Sequence, residues 1–170
     1  MSASGDLIVL GVDPGTEHCG LAQVHFARQP KPESKNFGDA RLAWTLCLSR
    51  KRRQDVGAFL ADLARAMREM HGPVAWSLVG CEDVYIDRRK PRAVIQLAQV
   101  VGVVRAMAAV QGAKFQLVTA PAWRLAATGL GEASYVFLRE ILCERFPGQG
   151  LRDVTEHELA AVGVACGVAR

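Results

Sequence analysis

Apolar positions change their period several times along the chain, and each change marks an element. Leu7-Ile8-Val9-Leu10-Gly11-Val12 is a continuous, partly β-branched run, the pattern of a strand covered on both faces. Asp13-Pro14-Gly15 ends it with turn residues, and Gly20 to Phe26 reads as a second strand returning beside the first. Arg28 to Gly38, with two prolines and several charges, is a loop, and Ala40 to Leu48 alternates as a third strand. From Asp55 to Met70 the period becomes helical. Val56, Phe59, Leu60, Leu63, Met67 and Met70 share one face, while Arg65, Arg68 and Glu69 turn outward. Gly72-Pro73 stops this helix. Val74 to Cys81 is predicted as a fourth strand, Arg92 to Gln111 as a long helix, and Phe115 to Thr119 as a short fifth strand. The remainder reads as helical: a turn near Pro121 to Ala127, a helix over Ala133 to Phe146, and a last one over Asp153 to Val168.

Three strands that meander, then strands alternating with helices, predict an α/β fold. Strands separated by helices tend to lie parallel with right-handed crossovers. The expectation is a mixed five-stranded sheet, its first three strands antiparallel, flanked by helices on both faces and forming a single domain over 1–170. The length of 170 residues suits one core. The longest apolar stretch, Ala93 to Val110, is interrupted by Gln96, Gln99 and Arg105. It reads as a buried helix, short of the roughly 20 uninterrupted residues of a bilayer span, and no membrane role is expected. The start of the chain lacks the basic stretch and cleavable apolar core of a secretory signal. The five cysteines, Cys19, Cys47, Cys81, Cys143 and Cys166, show no zinc or redox spacing. Buried, reduced thiols in a cytoplasmic protein are the expectation.

Charge adds a partner class. The net charge of +4 is modest, but Arg50, Lys51, Arg52 and Arg53 form one basic block, and Arg88, Arg89, Lys90 and Arg92 form another. Either alone is ordinary solvated surface; two, with Tyr85 near the second, point to nucleic acid.

Candidate chemistry lies at the strand ends, where open α/β sheets place their sites. Asp13 closes the first strand, although an Asp before Pro-Gly is also an ordinary turn former. Glu82 ends the apolar fourth strand, where a carboxylate is costly unless solvated, paired or bound to metal. Asp83 points to the other face by alternation. Two such carboxylates side by side offer the hard oxygen ligands that Mg²⁺ or Mn²⁺ takes. On the last predicted helix Asp153, His157 and Ala160 fall on one face, at i, i+4 and i+7, flanked by Glu156 and Glu158. On spacing alone His157 is equally a surface or capping histidine.

Together these residues resemble the RuvC family of Holliday junction resolvases. IVLGVDPGTEHCGLAQV is similar to the family's opening strand, turn and second strand, and VGCEDVYI to its second motif. RAVIQLAQVVGVVRAMAAV resembles the long central helix, PAWRLAATGLGEAS the segment after the fifth strand, and HELAAVGVACGVA the closing helix. The resemblance implies an RNase H-like fold and a metal-dependent nuclease acting on DNA. Asp13, Glu82 and His157 would be its catalytic and metal-binding residues. Asp13 would bridge two ions, Mg²⁺ or Mn²⁺, one activating water and the other stabilising the leaving 3′ oxygen. Paired symmetric nicks in a four-way junction would follow, made by a homodimer. A branch-migration motor is a further candidate partner that the sequence does not identify.

Two departures stand out. The family's closing motif carries an aspartate three residues after the first acidic or histidine position, and Ala160 stands there instead. An engineered substitution, natural loss of activity, and replacement by Glu156 or Asp153 are all open, the first favoured because the rest of the site is intact. Tyr135, in GEASY, stands where the family's Gly-x-x-x-Lys ends, removing one expected basic contact. Tyr85 matches the position of an aromatic that enters the opened junction, though a strand-end tyrosine is an equal reading. Stacking on a base there contributes about 1–3 kcal/mol. Arg88, Arg89, Lys90, Arg92 and Arg50 to Arg53 would hold phosphates. Three other readings remain: an actin-like ATPase, for which one domain is too few, a YqgF-type nuclease acting on RNA, and a junction-binding module without catalysis.

Overall fold

A computed structural model of the chain describes residues 6–27, 40–70, 75–84 and 89–170. The expected loop at 28–38, the helix stop Gly72-Pro73, Val74, Tyr85 and Arg88 lie outside these residues. The described elements run β1 (Leu7–Asp13), β2 (His18–Phe26), β3 (Arg41–Ser49), α1 (Val56–Met70), β4 (Leu78–Glu82), α2 (Pro91–Val110), β5 (Lys114–Val118), α3 (Ala120–Thr128), α4 (Tyr135–Arg145) and α5 (Glu156–Val168). The sheet order is β3-β2-β1-β4-β5. The pairs β1–β2 and β2–β3 are antiparallel, and β1–β4 and β4–β5 are parallel. This is the mixed sheet the pattern predicts.

The central position of β1 explains its unbroken apolar run, because both its faces are covered. Ile8, Leu10 and Val12 join Leu21, Val79 and Cys81 in one apolar cluster with α1 and α2, through Phe59, Leu63, Met67, Val100, Val104 and Ala108. Val9 faces the other way, into a cluster with Ala22, Val24 and the helices α3, α4 and α5. Gly11, Gly20 and Gly80 lie under α5. A Cβ on Gly11 would come 2.0 Å from the Ala161 carbonyl oxygen, and one on Gly20 would come 2.0 Å from that of His157. One on Gly80 would meet Val168 at 2.6 Å. These absent side chains let α5 lie directly on the sheet. Every residue of α5 from Leu159 to Cys166 is buried, which accounts for a helix with no polar face.

Several expectations are corrected. The turn near Pro121 to Ala127 is a nine-residue helix, α3, that opens with a proline in its first turn and closes on Gly129 in the left-handed region. The last helix begins at Glu156, not Asp153. Thr155 caps it, accepting from the Glu158 amide while the Glu158 carboxylate accepts from the Thr155 amide. That reciprocal cap excludes Asp153 from the helix. The long helix α2 is not buried all round: Val100, Val104 and Ala108 form its buried stripe, whereas Ile95 is 61% and Val110 81% exposed. By length and composition α2 would also suit a membrane span. In the fold its buried stripe packs on α1, β4 and β5.

Candidate active site

Strand alternation decides which carboxylates meet. On β1 the α5-facing series is Val9, Gly11 and then Asp13; on β4 it is Gly80 and then Glu82. The parallel register pairs Val12 with Cys81, so Asp13 and Glu82 leave the sheet side by side at its carboxyl edge. The antiparallel register pairs Asp13 with Gly20, the glycine that admits the first turn of α5. His157, in that turn, places Nδ1 2.7 Å from Asp13 Oδ2. The Asp13 side chain is 13% exposed and that of His157 41%, so the pair spans the boundary between core and solvent.

Burial is the largest influence on both carboxylates. It raises the Asp13 pKa above the usual carboxylate range, although the His157 hydrogen bond, His157 and Arg124 all pull it down. Glu82 is raised for the same reason, with the Trp123 hydrogen bond opposing and Asp13 adding to the rise. Two partly desolvated carboxylates, one of them raised further by the other, favour a shared cation. The donor chemistry, two carboxylates and an imidazole, fits one divalent ion at Asp13 and Glu82. Among the described residues, no three acidic, histidine or cysteine side chains stand close enough to hold an ion as they are placed.

Ala160 is fully buried and belongs to the apolar cluster beneath α5. It offers no donor, and both candidate replacements are solvent-exposed. Asp153 is exposed ahead of the cap, and Glu156 is exposed in the first turn. Glu158 is used elsewhere: it accepts from Thr45 Oγ1 at 2.8 Å as well as from Thr155. Asp83 is exposed beyond the end of β4.

Three residues at this edge escape sequence reasoning. Trp123 donates Nε1–H to Glu82 Oε2 at 2.7 Å. The Arg124 guanidinium lies 5.2 Å from the Trp123 ring and 5.4 Å from the Tyr135 ring, close enough to bias both carboxylates. Thus a cation occupies the neighbourhood that Tyr135, in place of lysine, left in doubt. His18 stacks on His157, with ring centroids 5.4 Å apart, and its Nδ1 lies 2.9 Å from Ser49 Oγ. The only sequence signal was the segment Pro121-Ala122-Trp123-Arg124 itself, which says nothing of direction.

The basic blocks converge beside the same edge. Arg50 donates its amide to the Glu17 carbonyl at 2.7 Å, joining the β3–α1 loop to the β1–β2 turn. One groove there is lined by Glu17, His18 and Arg50 to Arg53; the next, of 520 Å³, is lined by Thr16, Glu17, Arg50, Arg89, Lys90 and Arg92 among others. Arg53 adopts a left-handed backbone, φ 69°, an uncommon state for a side-chain-bearing residue.

The sequence model described as crossover junction endodeoxyribonuclease RuvC matches residues 9–142. The chain belongs to the RuvC family. Its members are crossover junction endodeoxyribonucleases that use divalent metal ions. Thermus thermophilus RuvC in complex with a Holliday junction substrate superimposes with a TM-score of 0.79 at 17% identity, over 95% of this chain and 92% of that one. The yeast mitochondrial Holliday junction resolvase gives 0.63 at 10% identity, covering 95% and 78%. The fowlpox virus resolvase gives 0.57 at 9%, covering 96% and 98%. These likenesses establish the RNase H-like fold. No curated protein matches the chain by sequence.

Proposed function

We propose that this RuvC-family chain binds four-way DNA junctions and that Asp13, Glu82 and His157 form its hydrolytic centre. The observation carrying this reading is the meeting of Asp13 and Glu82 on one face of the sheet edge, with His157 bonded to Asp13 and two basic blocks alongside. A divalent ion held by the two carboxylates would supply Lewis-acid activation of the phosphodiester. Manganese suits a set that includes imidazole at least as well as magnesium. Asp13 is oriented by His157 through its Nδ1. Arg124 offers a fixed cation to the phosphate, and Arg50, Arg89, Lys90 and Arg92 hold the arms. Hydrolysis would add water at phosphorus and release the 3′ oxygen, without a covalent enzyme intermediate.

Ala160 leaves the donor set one carboxylate short of the family pattern, so the chain as it stands is expected to bind junctions and nick them weakly or not at all. The test is nicking of a labelled four-way junction, against linear duplex, by this protein and by Ala160→Asp in Mg²⁺ or Mn²⁺. Paired symmetric nicks from the repaired protein alone support a resolvase disabled at 160. Junction binding without nicks from either supports a binding module, which the full burial of Ala160 among apolar neighbours favours. The absence of both junction binding and nicking would refute the reading.

Two opposed nicks call for a dimer. On α2, Val101 and Met107 pack against the cluster beneath the helix. The outward face carries Ile95, Ala98, Gly102, Ala106 and Val110 and is the face proposed to meet a second copy. Ile95→Lys is expected to shift the mass measured by light scattering from dimer to monomer.

A further inference from the structure

We propose that Trp123 is a positioning residue for Glu82, tying that carboxylate to the helix that carries His157. The inference rests on the reading that Glu82 holds the divalent ion. An indole has one polar atom, a donor. Here that donor is spent on Glu82 Oε2, at 2.7 Å, and not on a backbone carbonyl. A phenyl ring would fill most of the same space, so it is the N–H that needs a functional account. Its effect is to hold Oε2 toward α3 and leave Oε1 as the oxygen the indole does not engage.

The ring itself is fixed from behind. Trp123 is fully buried, and it lies in a notch on α5 made by two glycines one turn apart. A Cβ on Gly163 would come 2.5 Å from the indole Cζ3, and one on Gly167 would come 2.7 Å from the Trp123 Cβ. The notch sets the indole height along α5, the indole sets the Glu82 rotamer, and the same helix presents His157 to Asp13. One rigid helix therefore places both carboxylates. Arg124, stacked over the Trp123 ring, is carried with it. Hydrogen bonds that orient ligands in this way typically contribute about 10–100-fold in metal affinity.

The experiment uses DNA-free protein. Mn²⁺ binding is measured by electron paramagnetic resonance for the parent, Trp123→Phe and Glu82→Gln, alongside urea unfolding to establish that each variant folds. Trp123→Phe is expected to unfold cooperatively yet bind Mn²⁺ at least tenfold more weakly. In ¹H–¹⁵N spectra the Trp123 indole resonance, identified by its loss in Trp123→Phe, is expected to exchange slowly and to move in Glu82→Gln. Weakening in Glu82→Gln with parental affinity in Trp123→Phe would overturn the positioning role and leave the Glu82 reading intact. Parental affinity in Glu82→Gln would overturn both. Should Trp123→Phe fail to fold, the Trp123 indole resonance, assigned by elimination with Trp44→Phe and Trp76→Phe, decides: no movement on Glu82→Gln overturns the role.

Discussion

Restoring a carboxylate at position 160 tests the site through stability before any DNA is added. Ala160 is fully enclosed within the apolar cluster under α5, and Asp13 and Glu82, the carboxylates of the proposed centre, already have pKa values raised by burial. Adding a carboxyl group there overpacks the cluster, at about 1–3 kcal/mol. The charge adds roughly 1.4 kcal/mol for each unit by which the folded pKa exceeds the unfolded one. In EDTA at pH 8, Ala160→Asp is thus expected to lose about 2–4 kcal/mol relative to the parent. A folded pKa above the unfolded value fixes the sign. The charge cost is absent below the unfolded pKa of about 3.9 and grows as pH rises, becoming complete above the folded pKa. The deficit should therefore be smaller at pH 5 than at pH 8. An ion bound only by the folded state stabilises by about 2.7 kcal/mol at a hundred times its dissociation constant, so Mn²⁺ should recover most of the loss at pH 8 and much less in the parent. Urea unfolding with EDTA or Mn²⁺ at both pH values reads this directly. A variant as stable as the parent in EDTA at pH 8, with no gain from Mn²⁺, would refute both the enclosure of position 160 and its proximity to the carboxylates.

Other outcomes follow from the same geometry. Gly20→Ala drives a methyl into the His157 carbonyl, and it is expected to cost about 1–3 kcal/mol and to weaken Mn²⁺ binding by lifting α5 from β2. Burial pushes the Glu158 pKa up, but its bonds from Thr155 and Thr45 outweigh this and leave it lowered. Its contribution is thus present above the unfolded pKa and lost as pH falls through the folded one. Glu158→Gln should cost about 0.5–1 kcal/mol near neutrality, a deficit that closes in acid denaturation profiles below pH 4. Arg50→Ala, at the join of the two basic grooves, should lower the slope of log affinity for junctions against log salt by about 1. An unchanged slope would remove Arg50 from the phosphate contacts.

The sequence by itself determined the five strands, the long helices and the two strand-end carboxylates. The doubly covered β1 announced itself as an unbroken apolar run because both its faces pack, and Asp13 and Glu82 stood out because acids at the ends of such runs need a reason. Ordered motifs also carried the family. What only the tertiary structure decided is direction and distance. Thr155 and Glu158 form a cap across three residues, and that closure put Asp153 outside the helix it had seemed to share with His157. Nothing in the run of α2 told which of its apolar residues would stay uncovered, since its composition is apolar all round while its packing covers one stripe. Trp123 and Arg124 were visible only as letters after the fifth strand. Their roles depend on two glycines some 40 residues later, whose missing side chains set the depth of a ring and so the place of a carboxylate.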